Sequence, residues 1–356
     1  DDGSSNGTFV NGERTQHATL ALDDIVRMGN TLLEVTLRVP GGVRRDATMI
    51  GSAPAFLRVV EAAERVAAST LPILLLGETG SGKDELARHV HARSGRTGAY
   101  VAVNCATLPN DLAESALFGH KRGAFTGATM DSEGFFAQAA AGTIFLDEIA
   151  ELPLHQQPKL LRVLENREYV PVGSSRVLHS DARAIAATHV DLAAAVAAGS
   201  FREDLYARLA GAVLRLPPLR QRRADILPLA MRFLADAAPG VAFTVSAHAA
   251  EALLLHAWPR NIRELRVTMQ RLALEQPAGG EIALRTVVSA LGAKPAAATP
   301  TPAPAARAQG PGREELLARL VAARGNVQKL AEHYGKDPKQ IYRWLKRHDL
   351  DPNDYR

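Results

Sequence analysis

The run Gly77 to Asp84, GETGSGKD, carries a G-x-x-x-x-G-K spacing between an apolar stretch, LPILLL, and a helix-forming one, ELARHVHAR. Glycines so placed let successive backbone N–H groups turn towards phosphates, and a helix N-terminus directly after them favours negative charge. Gly77, Glu78, Thr79, Gly80, Ser81 and Gly82 would form the cradle, and Lys83 would reach β- and γ-phosphates as a point charge. The rival reading is an ordinary glycine turn, which the strand–loop–helix context disfavours. Asp84 stands where the general pattern has Ser or Thr to hold magnesium. Downstream, GTIFLDEI ends an apolar strand with Asp147 and Glu148. Adjacent acids there suit a magnesium ligand followed by a base that polarises an attacking water. A solvated acidic pair at a strand end is common in isolation. Beside a phosphate loop it reads as part of an NTPase site that takes ATP and Mg2+. Asp147 is expected to carry most of the metal binding, with Asp84 the second candidate ligand.

A different chemistry is suggested by Gly123, Ala124, Phe125, Thr126, Gly127 and Ala128, the GAFTGA that follows GHKR. A buried strand would give bulky apolar residues, and a helix would avoid two glycines so close together. Glycine on both sides argues for a bent, mobile loop that holds Phe125 out for contact. The plainer alternative is a flexible surface loop with an incidental phenylalanine.

These residues need elements to position them. The chain has 356 residues, 46% of them hydrophobic, enough for two or three domains with a substantial core. Its net charge is +4 and its pI near 9.3, which permits nucleic acid as a partner without demanding it. The single cysteine, Cys105, excludes an internal disulfide and fits a reducing, cytoplasmic location. No apolar run approaches the roughly 20 residues a bilayer span needs, and no signal peptide is visible. The chain opens at Asp1 within a motif, which reads as the later part of a longer protein.

Residues 1–40 read as β-rich, with Asn-Gly turns on both sides of TFV. From 48 to 292 helical and strand patterns alternate, with LPILLL, GTIFLDEI and ARAIAATH as buried strands, so a parallel sheet with helices on both faces is expected. Residues 48–216 would be its α/β part and 217–292 a helical lid. Residues 293–312, AKPAAATPTPAPAARAQGPG, read as a semi-extended linker. Residues 313–356 read as three helices, broken at Gly325-Asn326 and at Gly335, with Asp337 as N-cap and Pro338 at the first position of the last.

From Ile50 to Gly292 the chain resembles the AAA+ activators of sigma-54 RNA polymerase, the bacterial enhancer-binding proteins. The resemblance rests on ESALFGHKRGAFTGA, GTIFLDEIAELP, FREDLYARLA and WPRNIREL. It implies that Gly123–Ala128 is the tip that the ATP state pushes against sigma-54, with Phe125 and Thr126 in contact. It further implies that Asn104 holds the Glu148 carboxylate and releases it as the γ-phosphate is sensed; the plain alternative is a strand-end cap. Thr188 falls at the sensor I position, where the family usually has Asn in place of His189. Arg202 and Arg208 match arginines that reach a neighbouring subunit's ATP site, in a hexameric ring; otherwise they are a solvated face. An arginine supplied in trans is worth roughly 10³–10⁵ in rate. Arg263 matches sensor II, which couples the lid to nucleotide. Arg260 replaces the family's usual Gly, so a strained or reshaped lid turn is expected.

The C-terminal segment resembles the factor-for-inversion-stimulation (Fis-type) helix-turn-helix. Ile341, Leu345 and Trp344 would face a core, leaving Lys339, Gln340 and Arg343 for base edges and phosphates, and Lys346 and Arg347 for phosphates of enhancer DNA. A basic solvated helix in a small bundle is the alternative. The SSNGTFVNG stretch resembles the C-terminal half of a forkhead-associated (FHA) β-sandwich, which binds phosphothreonine proteins. Ser5 and Asn6 fall at its phosphopeptide positions, although the residues that grip the phosphate are not in this chain. Together these resemblances imply a cytoplasmic activator that hydrolyses ATP to remodel the closed sigma-54 polymerase holoenzyme–promoter complex. The alternatives are an ATPase-inactive DNA-binding adaptor and an AAA+ remodeller of another target.

Overall fold

The computed structural model describes residues 1, 4, 6–36, 44–45, 49–109, 111–292, 313–323, 325–334, 338–348 and 350–355; for 44, 45, 314, 332, 339, 340, 347 and 353 it describes backbone alone. The linker expected at 293–312 and the Asp337 cap lie outside the described residues. Contacts divide the chain into two units, Asp1–Gly292 and Ala293–Arg356.

The first unit opens with four short antiparallel strands, β1 (Thr8–Val10), β2 (Glu13–Thr15), β3 (Ile25–Met28) and β4 (Thr31–Glu34), in the order β2-β1-β3-β4. Asn11 and Gly12, between β1 and β2, both have positive φ, which is why Asn-Gly serves there. This sheet does not stand alone. Ile25 belongs to the same buried cluster as the helices of residues 226–290, and Leu32 packs against that cluster. Arg27 lies 3.9 Å from the centre of the Phe9 ring and its Nε donates to Glu251 Oε2 at 2.7 Å, with both side chains less than a tenth exposed.

The apolar runs of the middle segment form a five-stranded parallel sheet. Its strands are β5 (Ile73–Leu76), β6 (Tyr100–Asn104), β7 (Thr143–Asp147), β8 (Arg183–Thr188) and β9 (Ala212–Arg215), in the order β9-β5-β8-β7-β6. Continuous apolar strands are what burial on two faces requires. Leu74, Ile144, Leu146, Ala184 and Ala186 pack on one side with Leu160 and Leu205. Ile73, Leu75, Phe145 and Ile185 pack on the other with Phe56 and Val60 of helix Pro54–Ala67 and Leu86 and Val90 of helix Lys83–Arg93. Every strand end that the sequence singled out therefore lies along the carboxyl edge of one sheet, where α/β folds bind ligands.

Helices Ile226–Ala237, Ala247–Leu255, Asn261–Glu275 and Leu284–Ala290 form the lid around Trp258, which is fully buried and donates Nε1–H to Leu253 O at 2.9 Å. In the turn before Asn261–Glu275, where strain or reshaping was expected, Arg260 sits at φ −107° and its neighbours Trp258, at 48°, and Asn261, at 53°, are left-handed.

This turn is seated on the phosphate loop. Asn261 accepts from Leu219 N at 2.7 Å and donates to both Glu78 Oε2 and Thr79 O at 3.1 Å, while Ile262 N donates to Gly80 O at 3.0 Å. Gly80 has φ +76°, and a Cβ there would stand 2.3 Å from Arg260 O, so only glycine fits. Arg220 grips both oxygens of Glu78 at 2.8 and 2.6 Å. Fully buried Arg222 donates to Ser81 O at 2.6 Å and lies over the Phe56 ring.

The second unit contains helices Arg313–Ala322, Val327–Tyr334 and Pro338–Arg347, packed through Leu316, Leu320, Leu330, Ile341, Trp344 and Leu345. Ile341, Leu345 and Trp344 are buried as their spacing suggested, and Arg343 and Lys346 are exposed. Among the described residues no helix is long and apolar enough to cross a membrane.

Two predictions follow from these contacts. Arg27→Met leaves Glu251 buried without its cation and is expected to cost about 3–5 kcal/mol in urea unfolding, whereas Arg27→Met with Glu251→Leu recovers most of the loss. Equal stability of the single and double variants would show that the pair is not what holds the sheet to the lid. The second concerns Glu78, whose carboxyl the hydrogen bonds of Arg220 first, and Asn261 next, hold down to about 2 against the opposing effect of burial. Because the folded value lies below the unfolded one, this stabilisation is fully present above pH 4.5 and is lost as pH falls through about 2. The stability gap between the wild type and Glu78→Gln should be flat above pH 4.5 and close below it. Its size at neutral pH is expected to stay under about 1 kcal/mol because both side chains are more than two-fifths exposed. A gap that widens on acidification would contradict the assignment.

Candidate functional site

Thr79, Gly80, Gly82, Lys83, Asp147, Glu148 and Arg263 line one pocket of about 260 Å3 at the carboxyl edge of the sheet. The sequence separates these residues widely; the loop after β5, the end of β7 and the lid turn bring them together. Lys83 Nζ donates to Gly77 O at 2.7 Å and Glu78 O at 3.3 Å, so its ammonium is satisfied by the loop's own carbonyls. Burial lowers the Lys83 pKa, opposed by the facing charges of Glu148 and Asp147. Ser81 Oγ is buried with no hydrogen-bond partner, and helix Lys83–Arg93 begins at the loop with first-turn N–H groups that have no intrahelical acceptor. The buried Lys83 ammonium and the free N–H groups of the loop fit phosphate oxygens, and the unpartnered Ser81 hydroxyl lines the cavity next to this one.

At the end of β7, Asp147 is half-buried. Burial first, and the Glu148 charge second, raise its pKa, while Lys83 opposes them. A divalent cation would relieve that like-charge cost, and Mg2+ commonly takes one or two carboxylates with phosphates and water. Asp147 fits this. Asp84, the second candidate ligand, also lines the pocket; its Oδ1 accepts from Tyr100 OH at 2.8 Å and its Oδ2 from Arg88 Nε at 3.0 Å, bonds that tie the helix to β6.

Glu148 follows with φ 49° and ψ 51°, a left-handed backbone that side chains avoid unless the surroundings impose it. Its Oε2 lies 2.8 Å from His189 Nδ1. Here the structure differs from expectation. Asn104 does not hold Glu148; its Oδ1 accepts from Ala106 N at 3.0 Å and caps the short 3-10 turn after β6. Thr188 is fully buried at the end of β8, with Oγ1 accepting from Val190 N at 3.0 Å and its carbonyl accepting from Gly77 N at 3.3 Å. It fixes the entry to the phosphate loop, and the residue after it faces the acid.

Gly123 and Gly127 have φ +82° and +102° with open space around them, so the bend of the GAFTGA loop matches its composition. Gly123 N donates to Ala128 O at 2.8 Å and closes the loop, and Lys121 and Arg122 N both bind Asp131 at its base. Phe125 is not held out: it is half-buried, with its ring 5.0 Å from that of His120 in an edge-on contact. Thr126 is exposed, Ala128 is buried, and Met130 is 75% exposed.

Arg202 pairs in two places with Asp204, at 3.0 and 2.7 Å, and Arg208 donates twice to Leu164 O, so neither lines the pocket of its own chain. Asn6 is exposed, and Ser5 lies outside the described residues, as do the side chains of Lys339, Gln340 and Arg347. Sequence reasoning passed over a second cavity of about 320 Å3 that shares Gly82 with the first. Met49, Ile50, Phe56, Leu229, Phe233 and Ile262 give it one apolar side, suited to a planar base, and Arg88, Arg222, Arg232, Arg266, Glu85 and Asp236 a charged one. The PPLRQRRAD run, with Arg220 and Arg222, was the available signal: so many arginines after a proline pair have to be neutralised or stacked somewhere.

Comparison with known proteins agrees with this geometry. Residues 49–215 match the sigma-54 interaction domain and residues 220–303 the AAA+ ATPase lid domain. The alginate biosynthesis transcriptional regulatory protein AlgB of Pseudomonas putida is 41% identical over 319 residues, 87% of this chain and 69% of AlgB. The response regulator protein FleR of Pseudomonas aeruginosa is 47% identical over 230 residues, 64% of this chain and 49% of FleR. The chain spans about half the length of several curated relatives it matches. The crystal structure of NtrX from Brucella abortus in complex with ATP superposes with a TM-score of 0.63 at 30% identity, covering 85% of this chain and 69% of NtrX. A nucleotide-shaped pocket between sheet and lid, both domain matches and a relative covered over two thirds of its length lead to one assignment: the chain belongs to the sigma-54-dependent transcriptional activator family, built on an AAA+ ATPase domain.

Proposed function

We propose that this chain hydrolyses ATP to drive the closed sigma-54 RNA polymerase holoenzyme–promoter complex to the open state. The observation that carries the reading is the single pocket in which Lys83, the Asp147–Glu148 pair and the lid's Arg263 converge. Backbone N–H groups from Thr79 to Asp84 and the Lys83 ammonium would bind the triphosphate, and the apolar side of the cavity beside Phe56 the base. Glu148 would polarise the water that attacks the γ-phosphorus, accepting its proton as ADP leaves. Mg2+, held by Asp147 and the phosphates, would spread the charge on the β- and γ-oxygens when bound. Arg263 comes from the lid, so closure over nucleotide and charge neutralisation would be one movement. Arg202 and Arg208, neither of which lines the pocket of its own chain, would act on a neighbouring copy in a ring, a hexamer by family resemblance. That NtrX has been crystallised with ATP supports the choice of nucleotide.

The loop Gly123–Ala128 would press on sigma-54, with Thr126 already exposed and Phe125 released from His120 by nucleotide. The helix Pro338–Arg347, with exposed Arg343 and Lys346 beside Lys339, Gln340 and Arg347, would bind enhancer DNA in the cytoplasm. Residues 1–40 would be the closing half of an FHA module through which a phosphothreonine protein regulates the activator, with Ser5 and Asn6 at the peptide.

The test is isomerisation of a sigma-54 closed promoter complex by the purified protein with ATP. Open complex is expected with the wild type and none with Glu148→Gln. Thr126→Ala should keep ATP turnover and lose open-complex formation. Turnover by the wild type without any open complex, or open complex with Thr126→Ala, would overturn the sigma-54 reading.

A further inference from the structure

We propose that His189 is the positioning residue for the Glu148 base, holding its Oε2 so that Oε1 faces the water and the γ-phosphate. This rests on the ATP-hydrolysis reading above and assigns one of its parts. Around the acid pair, Asn104 Oδ1 accepts from Ala106 N, Thr188 Oγ1 accepts from Val190 N and Lys83 Nζ donates to loop carbonyls, and among the described residues none of the three bonds Glu148. His189 Nδ1, at 2.8 Å, is the side-chain group that reaches the Glu148 carboxylate among the described residues.

The geometry defines the chemistry. A carboxylate only accepts, so Nδ1 carries the proton and donates. One oxygen is then fixed, and the carboxyl plane with it, at a residue whose backbone is itself pinned in a left-handed conformation. A carboxylate with one hydrogen-bonded oxygen and one open oxygen is a preorganised base; freed from His189 it would rotate about its side-chain bonds and lose aim, and misplacement of about 1 Å can cost on the order of 10²-fold. An exposed ion pair would be worth little. Here, however, the Glu148 side chain is only 18% exposed and lines the phosphate pocket, so the bond sets direction where direction matters. His189 itself is 47% exposed, so its removal leaves the core intact.

The test compares wild type, His189→Ala and His189→Asn. His189→Ala should lower kcat for ATP roughly ten- to a hundredfold. Its KM, and its equilibrium affinity for a non-hydrolysable ATP analogue, should stay within about twofold, the pattern of a contact used only in the transition state. His189→Asn, which keeps a donor, should recover part of kcat, and added imidazole should raise turnover in His189→Ala but not in Glu148→Gln. Without nucleotide, 15N spectra of histidine-labelled protein should show His189 protonated at Nδ1, and Glu148→Ala should return it to the ordinary Nε2–H tautomer. Unchanged kcat in His189→Ala, or a loss of affinity equal to the loss of rate, would overturn the positioning role while leaving the ATPase reading standing. No turnover by the wild type would overturn that reading and the proposal with it.

Discussion

The seating of the lid turn on the phosphate loop is the contact on which the rest of the site depends. Gly80 offers its carbonyl to Ile262 N, and its missing Cβ is what lets the Arg260 carbonyl approach. Asn261 ties Leu219, Glu78 and Thr79 together from a fully buried position with a left-handed backbone. Arg263, two residues on, enters the phosphate pocket because this turn is docked there. The same contact therefore shapes the cradle, delivers the lid's cation and closes the wall of the base cavity at Ile262. A side chain at Gly80 would have to push the lid off the loop, and all three would go together.

Electrostatics at the sheet edge lead to the same conclusion from the other side. Asp147 and Glu148 are adjacent acids in a half-buried place, which raises the Asp147 pKa, and Lys83 is a buried cation whose pKa burial lowers. Each is costly alone, and their mutual attraction offsets only part of the cost. Such an arrangement is poorly suited to stability and well suited to a ligand that brings both anionic oxygens for Lys83 and a metal for Asp147.

Much of this was legible in the sequence, and the division between what was and was not has a physical basis. The phosphate loop, the acid pair and the GAFTGA bend are local: glycine spacing and a strand ending in two acids fix them within a few residues, and the structure places the loop and the acid pair in one pocket. The partners of Glu78 and Glu148 are not local. Arg220 and Asn261 meet Glu78 across more than a hundred residues, and His189 meets Glu148 from the neighbouring strand. Family pattern named Asn104 for Glu148, but in the structure its Oδ1 accepts from the backbone N–H two residues on, a local cap, and no bond joins it to Glu148. Arg260 in place of glycine suggested a strained or reshaped turn; the sequence did not show that the left-handed residues would be Trp258 and Asn261, where buried contacts of the indole and the amide hold them. Asp84 shows the same limit: its pairing with Tyr100, on a strand that only folding brings near, could not be read from spacing.

The N-terminal sheet raises a question of mechanics rather than of identity. Ile25 is part of the lid's own core and Arg27 is paired inside it, so the lid's packing is incomplete without β3. Arg223 donates to Asp23 O at 2.8 Å, and it belongs to the same short segment as Arg220 and Arg222, which hold Glu78 and Ser81 of the phosphate loop. A displacement of β3 would thus bear on the segment that carries the loop's arginines, and nucleotide on that loop would bear on β3 through the same residues. Close packing transmits such shifts instead of absorbing them. The N-terminal sheet thus shares a core with the lid and a backbone bond with the arginine segment, while none of its described residues lines either cavity.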